Sequence, residues 1–483
     1  MNYKMLGKFL GIVLLIEAAL LLLPLFVAII YKESVLPYVI TIAILLAVGI
    51  PTHLLKPKSR RIYAKEGFVC TALSWILLSA FGALPFVFSG AIPNYIDAFF
   101  ETVSGFTTTG ASIIKPGCVE LLPKGMLFWR SFTHWIGGMG ILVFMLAIMP
   151  NTEGNVIFLM RAEVPGPQKG KLVPKLKDSS LILYVIYLVF TIVEIIALLC
   201  TGIPLYDSAI NAFGTVGTGG FSVLNDSIAG YNNPAAEWIM AISLFLAGVN
   251  YNIYFYMLIK KFKAIKKNDE LKTYTAIAIT STALVAINIC NAATSVYESA
   301  GKAIRDAFFQ VASIMSTAGF TTIDFNALPN LSQTIIIILM FFGACAGSTA
   351  GGFKISRLVI ILKSVKRDIR KFLKPNSVKA LRLDGDVLEE ETIKSSLGYL
   401  SFYSVITVLS IFLISFDGND FITTVSAAVA CFNNIGPGFG AAFASYEFFS
   451  YFSKIVLSFV MIFGRLEIIP MLILLSPSTW KKN

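Results

Sequence analysis

Four stretches of this 483-residue chain set a glycine beside threonine or asparagine just after a short, mostly apolar segment. They read DAFFETVSGFTTTGAS from Asp97, DSAINAFGTVGTGGFS from Asp207, DAFFQVASIMSTAGFT from Asp306 and DFITTVSAAVACFNNIGPGFG from Asp420. The chemistry such loops offer is oxygen coordination. A bare cation leaving water needs replacement oxygens, and backbone carbonyls supply them without a fixed charge. Turning consecutive carbonyls toward one axis demands backbone angles that glycine takes comfortably. Gly110, Gly220, Gly319 and Gly436 stand at the aligned place, with the Thr108, Thr218 and Thr317 hydroxyls and the Asn434 amide as further oxygens. No acidic residue stands in the loops, which argues against a carboxylate ring of the calcium-binding kind. One aligned glycine per loop, rather than Gly-Tyr-Gly, implies looser discrimination between K+ and Na+.

The register is countable. Asp97 to Gly110, Asp207 to Gly220 and Asp306 to Gly319 are each 13 residues apart, whereas Asp420 to Gly436 is 16, which implies an insertion or a different starting Asp. Gly110 to Gly138, Gly220 to Gly248, Gly319 to Gly347 and Gly436 to Gly464 are all 28 apart. Four equal spacings in one context indicate an internal repeat. Each Asp suits a helix N-cap at the positive end of the helix dipole. About ten residues then precede each loop, too few to cross a bilayer, so each segment dips in and returns. Non-helical backbone at that depth survives only where protein buries it or water bathes it, as around a central pore.

The surrounding sequence is that of a membrane protein: 56% of residues are hydrophobic and only 14% charged. Apolar runs at Phe9–Ile30, Val35–Leu55, Phe68–Phe88 and Leu181–Leu199 suit bilayer-crossing helices. Lys4 and Lys8 precede the first run in the manner of a signal peptide, but no clean small-residue cleavage site follows, and we read it as a retained helix. The net charge of +11 is concentrated at Lys56–Lys65, Arg161–Lys177, Lys260–Lys272, Lys363–Lys379 and Lys481–Lys482. Segments richer in acid alternate with them, the positive-inside pattern. A nucleic-acid partner would need those cations on one soluble face, and no such domain is present. The fold expected is an all-α integral membrane protein: two N-terminal transmembrane helices (1–66), then four fused helix–pore-loop–helix repeats at 67–160, 178–262, 272–372 and 394–483, in pseudo-fourfold arrangement around a central pore.

Below the third loop the helix pattern is interrupted. Leu331–Phe342 is apolar, but Gly343–Gly352 reads GACAGSTAGG before Phe353. Glycine costs about 1 kcal/mol against alanine inside a helix. The run either lets helices approach closely or forms an intramembrane loop across the pore, free to swing aside. The candidate gate residues are Gly343, Gly347, Ser348, Thr349, Gly351, Gly352, Lys354 and Arg465. Arg465, a permanent charge within a span, is expected to face the pore against this loop as a barrier to cations. Glu467 follows two residues on and points to a different face. Lys354 is either a second barrier or a side chain snorkelling to the cytoplasm.

Other chemistry is excluded. HExxH and GxSxG are absent, and GPQKGK at 166–171 lacks the phosphate-loop spacing, so no enzyme is expected. His53 and His134 are too few and too far apart for a metal site and read as packing or interfacial residues. The six cysteines are scattered without CxxC, giving no transition-metal or disulfide signal. No cofactor is implied beyond the transported alkali cation.

The loops, the HWIGGMG segment (His134–Gly140) and the two extra leading helices resemble the Trk/Ktr/HKT superfamily of cation transporters, in particular its TrkH-type membrane subunits, over almost the whole chain. The resemblance implies a multi-pass protein of the bacterial inner membrane, forming a homodimer in which each protomer holds a complete pore, and K+ uptake. It puts the selectivity filter at Thr108, Thr109, Gly110 and Ala111; Thr218, Gly219, Gly220 and Phe221; Thr317, Ala318, Gly319 and Phe320; and Asn434, Ile435, Gly436 and Pro437. It also implies a TrkA-like, nucleotide-binding cytoplasmic regulatory subunit, for which the basic loops at 161–178, 260–272 and 363–394 offer docking surface, and contact with membrane lipid. The NIGPG of the fourth loop departs from the other three. Coupling to H+ or Na+ leaves no mark in residue types, so a coupled symporter with looser selectivity is the alternative; its usual inverted repeats with matched broken helices are not evident.

Overall fold

The computed structural model describes residues 1–57, 63–140, 176–291, 299–375 and 380–481. Arg60 and Arg61, the end of the first repeat and most of the basic loop at 161–178 lie outside them. The described chain is helical apart from loops and one small hairpin, β1 (Arg382–Leu383) paired antiparallel with β2 (Asp386–Val387). Among the described residues, six helices are long and apolar enough to span a membrane: Tyr3–Ile30, Leu36–His53, Ala64–Phe88, Ser180–Cys200, Asp269–Asn291 and Glu390–Asp417. The first contains α1 (Tyr3–Leu20) and α2 (Leu22–Ile30); the second is α3 (Leu36–His53). They flank α4 (Ala64–Gly82), which α5 (Leu84–Phe88) continues.

From there the chain repeats one plan. A short helix follows a spanning helix: α6 (Tyr95–Phe106) after α5, α9 (Leu205–Gly217) after α8 (Leu176–Cys200), α14 (Ala300–Met315) after α13 (Asp269–Asn291), and α18 (Phe421–Phe432) after α17 (Glu390–Ile414). The four hold 12, 13, 16 and 12 residues. At ~1.5 Å per residue the longest reaches about 24 Å, short of a hydrocarbon core of ~30 Å.

The expectation that an Asp caps each short helix holds only in the fourth, where the Asp420 carboxylate accepts the Thr423 N–H at 2.9 Å. In the first, Asn94 is the cap, bonding Ile96 N–H at 2.8 Å, while Asp97 sits in the first turn and pairs with Lys454 at 2.7 Å. Pro204 opens the second, and Ser299 caps the third, leaving Asp306 buried in mid-helix. A carboxylate one turn in still feels the helix dipole, so the cap is free to be another residue. This resolves the odd spacing. Asn94, Pro204 and Asp420 all precede their loop glycine by 16 residues, so the fourth repeat carries no insertion, and Thr423 stands where the others have Asp.

Each loop is followed by a second helix: α7 (Lys124–Met139), α10 (Pro234–Ala247), α15 (Asn330–Met340) and α19 (Tyr451–Arg465). The expectation of one broken helix is corrected here. A turn of 92° separates α10 from α11 (Tyr251–Leu258), beyond which lies the short α12 (Phe262–Lys267). Residues 341–354 separate α15 from α16 (Ile355–Leu373). Glu467 and Ile468 take positive φ between α19 and α20 (Ile469–Leu475), with α21 (Pro477–Trp480) last. Gly140 at φ 80° ends α7. Gly220 to Asn250 and Gly436 to Leu466 are each 30 residues, as is Gly110 to Gly140, where α7 ends, so these three points are equivalent in sequence. Leu466 carries no breaker signature, which hid that break; at the other, Gly248 and Asn250 are both capping residues, and Asn250 caps α11 by accepting the Asn252 N–H.

Candidate functional site

The four loops share one backbone design. Thr108, Thr218, Thr317 and Asn434 take left-handed φ of 55°, 56°, 58° and 55°. Two residues on, Gly110, Gly220, Gly319 and Gly436 have φ of 82°, 82°, 79° and 92°. Alternating positive and negative φ turns successive carbonyls toward one side, where an ordinary strand would alternate them. Asn434 and Gly436 occupy the same two backbone positions as their counterparts, NIGPG notwithstanding.

The glycines also show how the loops meet. A Cβ on Gly110 would lie 2.2 Å from the Gly219 carbonyl oxygen, and one on Gly220 would lie 2.0 Å from that of Ala318. A Cβ on Gly319 would lie 1.9 Å from the Ile435 oxygen, and one on Gly436 would lie 2.5 Å from the Thr109 oxygen. The contacts run from first loop to second, third, fourth and back to first. Four equivalent carbonyls, of Thr109, Gly219, Ala318 and Ile435, thus form a closed ring, each set against the glycine of the preceding repeat. In the fourth loop Pro437 stands where the others carry Ala111, Phe221 and Phe320, and its ring packs toward Gly319.

Buried polar groups hold the ring from behind. His134 on α7 is fully buried: its Nδ1 meets the Gly105 carbonyl at 2.7 Å, and its Nε2 accepts the Phe221 N–H at 3.3 Å. A carbonyl only accepts and an N–H only donates, so the proton sits on Nδ1. The ring packs so closely that a Cβ on Gly219 would meet it at 2.1 Å. Glu101 on α6 pairs with Arg130 on α7 at 2.6 Å, both buried; the second Glu101 oxygen accepts the Ile113 N–H, and the guanidinium lies 3.5 Å from the Phe221 ring centroid. In the third loop the Ser313 hydroxyl donates to the Phe320 carbonyl, and in the fourth Tyr446 donates to the Gly436 carbonyl, each at 2.7 Å.

Beneath the ring lies the segment 341–354. Its turns need glycine where φ is 73° at Gly347 and 70° at Gly352. It is tied to every wall around it. The Gly351 N–H donates to the Thr317 hydroxyl at 3.0 Å, and the Phe353 N–H to Asn433 at 3.3 Å. The Cys345 N–H bonds the Gly248 carbonyl and the Tyr251 N–H bonds the Gly347 carbonyl, each at 3.0 Å, so the α10–α11 break clasps the loop. One oxygen of Glu270, on α13, accepts the Ala346 N–H at 2.7 Å and the Ser356 N–H at 2.9 Å, pinning the loop near both ends.

Arg465 ends α19 inside this assembly, only 6% exposed. It donates to the Thr108 hydroxyl at 3.2 Å, the Gly138 carbonyl at 2.7 Å, and the Gly137 and Thr349 carbonyls. It therefore joins first loop, first repeat and intramembrane segment. Lys354 does not snorkel: it is fully buried and donates to the Ala350 carbonyl. Ser348 donates to the Cys345 carbonyl at 2.7 Å, within the segment. Glu467 turns away from Arg465 and forms a two-point ion pair with Arg357 on α16, over the Tyr399 ring. Of the threonine hydroxyls, those of Thr108 and Thr317 face these lower elements rather than standing free.

The equally spaced glycines do not share one contact. Gly138 approaches Gly217 of the next repeat, Gly248 faces Tyr274, Gly347 turns the intramembrane segment beside Asn250, and Gly464 lies under the Phe432 carbonyl. Sequence reasoning missed Glu270 and underrated His134. The fixed offset of HWIGGMG from the first loop was the one available signal for the histidine.

Comparison with known proteins agrees with this architecture. A family model described as cation transport protein, TrkH, matches residues 36–482. The Trk system potassium uptake protein TrkH of Escherichia coli (strain K12) is 33% identical over 488 residues, and that of Salmonella typhimurium 32% identical over 493; both alignments cover 100% of each chain. The crystal structure of the potassium transporter TrkH from Vibrio parahaemolyticus superposes with a TM-score of 0.88 at 30% identity, covering 100% of both chains. The chain is a multi-pass integral membrane protein that belongs to the TrkH family of cation transport proteins.

Proposed function

We propose that this protein takes up potassium across the cytoplasmic membrane by channel-like conduction through the four-loop ring, with no catalysed reaction. The observation that carries this reading is the closed ring of four carbonyls against four positive-φ glycines, an oxygen site without fixed charge. Relatives named as potassium uptake proteins support the ion. Residues 343–354 act as the gate: they lie under the ring, and their anchoring groups are replaceable by pore water. Arg465 acts as the cationic barrier, its guanidinium being bound to both the first loop, at the Thr108 hydroxyl, and the gate, at the Thr349 carbonyl. Homodimerisation and control by a TrkA-like cytoplasmic subunit belong to the same proposal, supported by the family and, for the subunit, by the basic segment at 260–272.

Flux of K+, Rb+ and Na+ into proteoliposomes holding the full chain tests it. K+ and Rb+ should exceed Na+, with discrimination lost in Gly220→Ser and flux raised in Arg465→Ala without a change in ion preference. No cation flux, even with the regulatory subunit added, would refute the pore reading. The matched breaks in the second helices favour one alternative, a transporter coupled to H+ or Na+. Flux that follows the K+ gradient alone excludes it; an absolute requirement for a second ion gradient establishes it.

A further inference from the structure

Beyond the transport pathway, the C-terminal half of α16 carries two stripes that the ring and gate do not use. One is basic. Lys363, Lys366, Arg367 and Arg370, with Arg382 on β1 and Leu381 before it, line a cavity of about 230 Å³. The other is apolar. Leu362, Val365, Ile369 and Phe372, spaced three, four and three apart, are all exposed, Phe372 to 88%. Each apolar residue but the last is followed directly by a cavity cation, so the stripes run side by side along the helix.

The cavity is charged beyond its own compensation. Lys363 pairs with Asp269 at 2.6 Å, and Arg367 with Glu390 and Asp368. Among the described residues, no carboxylate lies within ion-pair distance of Lys366, Arg370 or Arg382. Three uncompensated cations around a hollow favour a phosphate, with its several acceptor oxygens. An apolar stripe beside a basic one is the pattern of a helix lying in the membrane interface.

We propose that this cavity binds the phosphate headgroup of an anionic phospholipid of the cytoplasmic leaflet, whose acyl chains lie along the Leu362–Phe372 stripe. A soluble acidic partner would fill the cavity yet leave the stripe in water. A second copy packed face to face would set these cations against one another. The positive-inside rule puts this end of α16 on the side where anionic lipid attracts basic segments. The site lies at the root of the gate: α16 begins at Ile355, and Lys363 binds Asp269, the neighbour of Glu270. This assignment stands apart from the transport reading, because its test reads binding and not flux.

The experiment is native mass spectrometry of the full-length protein titrated with phosphatidylglycerol or phosphatidylcholine of identical acyl chains, and with inorganic pyrophosphate. Phosphatidylglycerol should bind in preference to phosphatidylcholine. Lys366→Ala, Arg370→Ala and Arg382→Ala combined should weaken it on the order of a hundredfold, since each basic residue near an anionic surface contributes about fivefold. Leu362→Gln with Ile369→Gln should weaken phosphatidylglycerol while leaving pyrophosphate unchanged. The substituted side chains are at the surface, so folding is not at issue. Equal binding of the two lipids, or undiminished phosphatidylglycerol binding in the triple variant, would overturn the proposal. Pyrophosphate binding as tight as phosphatidylglycerol, with the apolar pair without effect, would assign the cavity to free phosphate instead.

Discussion

Removing the Glu270 side chain is predicted to open the gate. One carboxylate oxygen receives the N–H groups of Ala346 and Ser356, on either side of the intramembrane turn, at 2.7 and 2.9 Å. In Glu270→Ala both donors are left buried without an acceptor, at about 1–3 kcal/mol each. The combined cost of ~2–6 kcal/mol falls on the closed arrangement alone, because a segment swung aside borders the water-filled pore, which hydrates its N–H groups. With tenfold per ~1.4 kcal/mol, even the lower bound raises the open-to-closed ratio about 30-fold. Glu270→Gln keeps an acceptor oxygen in place and should give a smaller shift of the same sign. Open probability of the full chain in planar bilayers is the assay, with thermal unfolding as the check on folding. Unchanged open probability in Glu270→Ala at an unaltered unfolding midpoint would refute the latch, as would a larger effect from glutamine than from alanine.

Three further substitutions probe the ring and its backing. His134→Ala strips the Phe221 N–H and the Gly105 carbonyl of their partner; we expect cation flux to persist while preference for K+ over Na+ falls, read from reversal potentials. Glu101→Ala leaves the Arg130 charge buried and unpaired, and should cost roughly 3–5 kcal/mol, seen as a lowered unfolding midpoint in detergent. A midpoint equal to wild type would mean Arg130 finds water or another acceptor. In Gly319→Ala the new methyl group would meet the Ile435 carbonyl at 1.9 Å, where 3.0 Å is the practical minimum, so that carbonyl must move; as in Gly220→Ser, preference for K+ over Na+ should be lost, and wild-type preference would disprove the ring geometry.

The sequence carries the ring better than its supports. Positive φ at a buried position leaves few choices but glycine, so Gly110, Gly220, Gly319 and Gly436 mark the loops at readable intervals. Helix length and apolar runs carry the membrane class for a similar reason: the bilayer imposes them on residue type directly. The caps were misjudged because Asn94, Pro204 and Asp420 all serve at one position, whereas the recurring Asp does another job in three repeats. Glu270 was invisible for a different reason: it binds backbone N–H groups 76 and 86 residues away, and a backbone donor has no residue signature. Lys354 and a snorkelling lysine are alike in sequence, and only the packing around Ala350 separates them.

The order of contacts around the ring has a bearing on how the protein is made. Its first three seams join neighbours along the chain, but the last, Gly436 against Thr109, unites segments more than 300 residues apart, as does the bond from Asn434 to Thr109. A ribosome delivers the first loop long before the fourth exists. Until then Thr109 lacks its neighbour on one flank, and the nascent membrane bundle must keep an open seam wetted or shielded. Contacts this distant along the chain are late and slow to form. Truncation anywhere before the fourth loop therefore yields no narrower or leakier pore, only an unclosed arc.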